Sequence, residues 1–295
     1  MKLRSYISGS LLLIIFVLTT MGCPGKEKPD SKKKPPEELY PHEFMRRLET
    51  INPGLRDPAS IIDLIEETGA TFMDNLVNSG DSDPIYQLDS ALSALNLGVY
   101  TVDIAYLATY NRKEEVRLQL DKARTLAGNI GAGHIYDHAM FRNYETMGVH
   151  RDTLISLLKN TSEQLEHDLS EMELMRIYTL FATGVFIEKL HLTTQLLNQA
   201  DEENADRYWD LMVVFFYQEK SLDTLIKLLD NIRRREEGER FMAMLNDLKH
   251  IYMELSTQEE LAGIQTSNIT QNRIYKDLVD QIARIREQIV DPVYP

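Results

Sequence analysis

Cysteine is almost absent from this chain, which has one among its 295 residues, at position 23. A single thiol closes no disulfide within the chain, so a disulfide-stabilised scaffold is excluded. Metal centres built from several thiolates are excluded for the same reason. The position of the one cysteine is therefore informative in itself.

Proline is missing between Pro84 and Pro292, and no clear alternation of polar and apolar residues occurs in that stretch. Proline breaks helices and alternation marks strands, so the absence of both favours helices. We predict an all-α fold, in which antiparallel helical hairpins form a bundle or a short solenoid-like array of about nine or ten helices.

Two similar nonamers bear on the array. DTLISLLKN (152–160) and DTLIKLLDN (223–231) agree at seven positions, and each opens on an aspartate suited to an N-cap. They indicate a repeated helical hairpin, or the same capping pattern arising twice by chance.

Apolar spacing predicts the individual helices. One helix opens at Asp57-Pro58 and continues through the segment 59–77, and another covers about 85–96. Gly98 marks a break or a close contact. The most apolar helix, 174–197, is expected at the centre of the domain. The last helix is expected to begin near Ser267 and to stop at Pro292.

Positive charge is in short supply, with 32 Lys and Arg against 46 Asp and Glu and a formal net charge of −14. Such a chain repels the phosphates of nucleic acid, so we expect no nucleic-acid partner. The sequence also has no glycine-rich phosphate loop, nucleophile elbow or ordered Ser-His-Asp set. We therefore favour a non-enzymatic protein that binds an envelope protein or a small ligand. A structural envelope component is an alternative.

The first 22 residues have the order of a secretory signal, with two positive charges before an apolar run at 11–18. That run is shorter than the ~20 residues of a membrane span. The stretch TMGC at 20–23 resembles the lipobox of bacterial lipoproteins, in which the cysteine is acylated after cleavage. We predict a lipoprotein signal peptide at 1–22 and lipidation of Cys23. The alternative is an ordinary secretory signal with a stray cysteine.

The segment after Cys23 is rich in proline, lysine and glutamate and poor in apolar residues. Such a composition cannot bury enough surface to fold. We predict a lipidated cysteine with a flexible tether at 23–41 and a single all-helical domain at 42–295. The protein would then be held to a membrane of the bacterial cell envelope through its lipid anchor. Whether it lies at the outer membrane, on the periplasmic or the surface side, stays open.

Two patterns raise the alternative of a metal-binding protein or metal-dependent enzyme. His134 and His138 share a helix face, a spacing that can bind zinc, and Asp137 is placed to activate water. Glu188 and His191 form half of a di-iron signature. The contrary interpretations are an exposed histidine near a helix start and a Glu188 that pairs with a basic side chain. We expect no cofactor, with zinc or iron as the alternative.

Tyr100, Asp103, Tyr106 and Tyr110 form a polar stripe on one predicted helix. Tyrosine hydroxyls around a buried aspartate would make a structural polar network. The same side chains would also suit the wall of a ligand pocket.

The segments NLGVYTVDIAYLATYN (96–111) and TGVFIEKLHLTTQLL (183–197) resemble a family of uncharacterised helical bacterial lipoproteins. The resemblance implies an all-helical fold and lipidation, and it implies no activity. It also marks Tyr100, Asp103, Tyr106 and Glu188 as positions worth testing.

Overall fold

The computed structural model describes residue 57 and residues 60–136, 151–168, 172–232, 236–254 and 264–292. Among these residues 81% are helical, in 11 helices, and no strand occurs. The prediction of an all-α fold is confirmed, and the bundle or array arrangement stays a prediction. The predicted signal peptide, Cys23 and the tether lie outside the described residues.

The described residues form helices of very different length. In chain order they are α1 (Ile62–Thr68), α2 (Asp83–Tyr86), α3 (Ser90–Thr109), α4 (Lys113–Asn129), α5 (Gly133–Tyr136), α6 (Arg151–Asp168), α7 (Met172–Leu197), α8 (Ala205–Phe216), α9 (Glu219–Ile232), α10 (Glu236–Met253) and α11 (Arg273–Val290). Two 3₁₀ turns, Asp74–Leu76 and Thr266–Gln271, complete them.

Helix α3 lies at the centre, and every residue from Ala91 to Ala108 is buried. Among the described helices it is the one long and apolar enough to cross a membrane, yet its apolar window is wholly buried inside the protein. It packs against α7, α4 and α11. Asp89 caps its start by accepting a hydrogen bond from the Leu92 amide at 3.3 Å, as an N-cap residue does.

Helices α3 and α7 run parallel, because the contacts between them advance in the same direction along both helices. At their first turns Arg176 Nη2 donates to Ser90 Oγ at 2.8 Å. Further along, Asp103 and Glu188 are in contact. Helix α11 runs antiparallel to α7. Its Tyr275 hydroxyl reaches the Thr194 carbonyl at 2.7 Å, and its later Arg286 reaches Glu188, one to two turns earlier in α7.

Two glycines bring α3 and α7 into backbone contact. A Cβ atom on Gly98 would lie 2.3 Å from the Phe181 carbonyl oxygen, and one on Gly184 would lie 2.0 Å from that of Leu95. Gly98 therefore marks a close contact, and α3 continues through it without a break. The absence of two side chains allows the central helices to approach this closely.

The predicted helix over 59–77 is wrong beyond Thr68. Helix α1 ends at Gly69, which has a φ of 63° in the left-handed region. The Thr68 hydroxyl accepts a hydrogen bond from the Ala70 amide at 3.0 Å and completes the stop. The residues that follow form an irregular segment with one 3₁₀ turn.

Other helix boundaries also differ from the expectation. The last helix begins at Arg273 instead of near Ser267, because the Asn272 side chain caps it by accepting from the Tyr275 amide at 3.0 Å. Asp223 is no N-cap, because α9 begins earlier, at Glu219. Its carboxylate instead pairs with Lys249 at 2.5 Å.

Candidate functional site

The polar stripe of α3 holds the irregular segment 70–83, which we call the strap. Each stripe residue bonds to a different point of the strap, and the two chain segments run in opposite directions. The hydrogen bonds are Tyr110 Oη to Ala70 O at 3.0 Å, Met73 N to Tyr106 Oη at 3.0 Å, Asn78 N to Asp103 Oδ2 at 2.9 Å, and Tyr100 Oη to an Asp83 carboxylate oxygen. The stripe thus fixes the strap on the surface of α3.

Other helices bind the same part of the strap. Gln119 of α4 donates to the Asn78 carbonyl at 2.9 Å, and Lys122 donates to the Ser79 carbonyl at 2.8 Å. The Asn78 side chain bonds to the Tyr86 hydroxyl at 3.2 Å. Asn78 is buried, and exposed Ser79 follows it directly. At this point a single segment of chain, the strap, therefore separates the buried side chains from solvent.

Burial keeps the tyrosine hydroxyls of this region protonated. Removal from water disfavours the phenolate and raises the pKa of Tyr106 and, to about 12, that of Tyr86. Burial, followed by the hydrogen bond to Asp83, raises the pKa of Tyr100 as well. These hydroxyls therefore keep their protons at neutral pH and can donate one hydrogen bond while accepting another, as Tyr106 does from the Met73 amide.

Beneath the strap three helices each contribute one charged side chain, which we call the carboxyl cluster: Asp103 from α3, Glu188 from α7 and Arg286 from α11. Both carboxyl side chains are fully buried. Arg286 Nε and Nη2 donate to the two oxygens of Glu188 at 2.7 and 2.9 Å. Its Nη2 also donates to the Leu76 carbonyl at 3.0 Å, so the cluster binds the strap directly.

Asp103 is the unusual member of the carboxyl cluster. Its Oδ2 accepts from the Asn78 amide, while no other N–H or O–H group in the described part of the chain donates to its Oδ1. Its carboxyl group lies close enough to that of Glu188 for the two groups to influence each other's charge. Burial, and then the negative charge of Glu188, raise its pKa well above the ordinary value, while Arg286 acts in the opposite sense.

Two further ionisable groups of α7 lie nearby. Burial lowers the pKa of His191 to about 4, and a hydrogen bond with the Leu76 backbone opposes this shift. Lys189 is buried on another face and donates to the Asp57 carbonyl at 3.3 Å and to Ser60 Oγ at 3.1 Å. Burial lowers its pKa to about 8.

Of the two predicted metal-binding patterns, only Glu188 and His191 lie wholly within the described residues. His134 lies in α5, while Asp137 and His138 lie outside the described residues, so that pair is not placed. In the described ranges no group of three or more His, Cys, Asp or Glu side chains could hold a metal ion. Glu188 gives both oxygens to Arg286, and a metal would have to displace that guanidinium. The metal alternative stays a prediction.

A surface cleft of about 240 Å³ opens beside the strap. Its walls combine polar and apolar surface and consist of Asp83, Gln87, Asp121, Lys122, Thr125 and Leu126. Lys122 is already committed there, because it pairs with Asp83 at 3.4 Å and lies over the Tyr100 ring. The volume falls below the roughly 300 Å³ at which pockets for drug-sized ligands begin.

Three residues of this region, Arg286, Asn78 and Lys189, were not predicted from the sequence. One signal for Arg286 was present, because it follows Ile282 by four residues and so borders the buried stripe of α11. A buried glutamate in an apolar helix also requires a partner. No local pattern indicated Asn78, whose role depends on the path of the strap.

Comparison with protein-family models, curated proteins and solved structures gives no match to this chain. The resemblance to helical lipoproteins stays a prediction.

Proposed function

We propose that this protein is a lipid-anchored component of the bacterial cell envelope, whose helical domain binds a protein partner and catalyses no reaction. The observation that supports this most is the state of its reactive side chains. Glu188, Asp103 and the stripe tyrosines bond to one another, to Arg286 and to the strap. A catalytic site needs such groups to face a substrate, and here they hold the fold together.

The anchor rests on the sequence. Cys23 ends a lipobox-like stretch, and the tether that follows would hold a domain away from a membrane surface. Diacylation with an additional amide-linked chain gives stable attachment, since two chains suffice.

The charge balance indicates the kind of partner. With a net charge of −14, this chain attracts a partner that presents basic residues. The predicted helical array would present an extended surface, which suits a protein or peptide better than a small molecule.

Fatty-acid labelling tests the anchor. The full chain is expressed in a bacterial host as wild type, as Cys23→Ala and as Thr20→Leu, the residue usual at that place of a lipobox. We expect label in the wild type and in Thr20→Leu, and none in Cys23→Ala. Label that persists in Cys23→Ala, or an unlabelled wild type, contradicts the anchor.

Site-specific photo-cross-linking in cells tests the partner. Exposed Leu88, Leu118 and Met253 are replaced one at a time by a photoreactive residue, and buried Leu107 serves as the matched control. A single adduct of constant mass from an exposed position, weakened at high salt, supports an electrostatically attracted partner. The absence of any discrete adduct at all three positions contradicts the proposal.

Metal content separates the alternative. We expect the purified full chain to contain substoichiometric metal that is unchanged in Glu188→Ala/His191→Ala and His134→Ala/His138→Ala variants. One zinc or two irons per chain, lost in one of these variants, would replace the proposal with a metal site.

A further inference from the structure

We propose that Asp103 and Glu188 share one buried proton, and that this proton keeps the strap closed, so that its loss opens the strap. The proposal concerns the carboxyl cluster and is independent of the lipid anchor and of any partner.

Three of the four carboxyl oxygens in the cluster accept a hydrogen bond from an N–H group of the described residues. Arg286 satisfies both oxygens of Glu188, and the Asn78 amide satisfies one oxygen of Asp103. Asp103 Oδ1 remains, buried and without an N–H or O–H donor in the described ranges, while its carboxyl group touches Glu188. Two ionised carboxylates in contact would repel, and a buried acceptor without a donor is costly.

One proton resolves both problems. A proton on Asp103 turns Oδ1 into a donor to Glu188 and removes the repulsion. The proton resides on Asp103 because the guanidinium of Arg286 stabilises the ionised form of Glu188. The cluster then contains one negative and one positive charge and is neutral, as a dry site requires.

The same groups bind the strap at consecutive points. Leu76 gives its carbonyl to Arg286 and its backbone to His191, and Asn78 gives its amide to Asp103. When Asp103 loses its proton, the cluster carries a net negative charge and requires water. The strap is the thin cover through which water reaches it, since Leu76 and Asn78 are buried beside exposed residues.

Within the described ranges, the ionisable groups that face the cluster come from four helices and the strap. They are Glu188 and His191 on α7, Arg286 on α11, Tyr100 and Tyr106 on α3, Tyr86 on α2, and Asp74 and Asp83 on the strap. The three tyrosines have raised pKa values and do not titrate near neutral pH. Asp103 and His191 therefore control the response of the strap to pH.

Asp103 and His191 change the opening equilibrium of the strap in opposite directions as pH rises. The pKa of Asp103 is raised in the closed state, so opening releases a proton and becomes about tenfold easier per pH unit above the ordinary value, until the raised pKa is reached. The pKa of His191 falls from 6.5 to about 4 on closing, so opening takes up a proton between those values. The slopes cancel from about 4 to 6.5, and only the Asp103 slope acts above 6.5.

Hydrogen–deuterium exchange on the full chain tests this behaviour. The protection factor of the segment 76–78 is measured against pH, with corrected intrinsic rates and amides of α11 as the internal reference. We expect constant protection up to about pH 6.5 and then a decrease of about tenfold per unit. In His191→Asn the decrease begins at lower pH. In Asp103→Asn, whose amide cannot lose a proton in this range, it disappears.

The infrared C=O stretch of a protonated carboxyl group gives a second measurement that needs no variant. We expect this band in the wild type at neutral pH, shielded from solvent and absent at high pH. If Asp103→Asn folds, it also lacks the band. The absence of a protonated carboxyl band at neutral pH overturns the shared proton. A band without pH-dependent strap protection overturns the coupling to the strap.

Discussion

Helices α3 and α7 meet in two regions, one of close backbone packing and one of buried ionisable side chains. At Gly98 and Gly184 the contact is backbone against backbone, and there is no space for a methyl group. About one turn further along, Asp103 and Glu188 bring two carboxyl groups together with a guanidinium. An added atom destabilises the first region, whereas the loss of a hydrogen-bond partner destabilises the second. A single helix pair thus depends on steric fit at one point and on complete pairing at the next.

The largest expected effect comes from breaking the carboxyl cluster. Glu188→Ala leaves Arg286 without its carboxylate at a site where the arginine side chain is only 15% exposed. Removing one partner of a buried ion pair costs about 3–5 kcal/mol in the free energy of unfolding. Urea denaturation measures it. Glu188→Gln, which keeps the shape and one acceptor, should cost less, and an equal loss in both variants would contradict the role of the charge.

The next effect comes from filling the helix crossing. Gly184→Ala places a Cβ atom 2.0 Å from the Leu95 carbonyl oxygen, so the helices must separate. Overpacking of this kind costs about 1–3 kcal/mol in the free energy of unfolding. Gly128→Ala in α4 is the matched control, because nothing lies within 4 Å of its added Cβ. We expect it to be neutral or stabilising by up to about 1 kcal/mol, from helix propensity.

The third effect is a dependence of the free energy of unfolding on pH, which arises in the carboxyl cluster. The folded-state pKa of Asp103 is raised, so its contribution to stability is present below the ordinary value of 3.8 and decreases as pH rises. Between pH 3.8 and the raised pKa, the difference in unfolding free energy between the wild type and Asp103→Asn should fall by about 1.4 kcal/mol per pH unit. Denaturation at a series of pH values checks the slope. A difference that does not vary with pH would contradict the raised pKa.

The smallest effect distinguishes two hydroxyls of the α3 stripe. Tyr106→Phe deprives the Met73 amide of its acceptor, whereas Tyr110→Phe deprives the Ala70 carbonyl of a donor. We expect a loss of about 1 kcal/mol for Tyr106→Phe and less for Tyr110→Phe, because a carbonyl finds a water donor more readily than a partly buried amide finds another acceptor. Thermal unfolding of both variants gives the order, and a reversed order would be inconsistent with it.

The sequence predicted those features that depend on neighbours along the chain. The missing proline and the helical spacing predicted an all-α fold, and the stripe of α11 from Ile274 to Ile289 faces the protein largely as expected. Local spacing also brought Tyr100, Asp103, Tyr106 and Tyr110 onto one helix. It did not predict the end of α1, where the left-handed Gly69 overrides apolar spacing that continues beyond it.

The sequence predicted only part of the candidate site, because some of its contacts join residues far apart along the chain. Glu188 stood out in an apolar helix, and a pairing with some basic side chain was one interpretation, but the partner lies 98 residues further along the chain. Asn78 gave no signal, because its backbone amide matters and any residue other than proline supplies one. The approach of three helices decides such pairings.

Local sequence decides which segments become helices and which side chains are costly to bury. Short-range backbone geometry and the aversion of apolar groups to water act wherever the chain lies. Only the tertiary structure decided that α3 and α7 run parallel, that the strap covers their carboxyl groups, and that Arg286 reaches Glu188. Those contacts join residues far apart in sequence, and electrostatics in a dry interior depends on distances of a few ångströms that only the packed helices set.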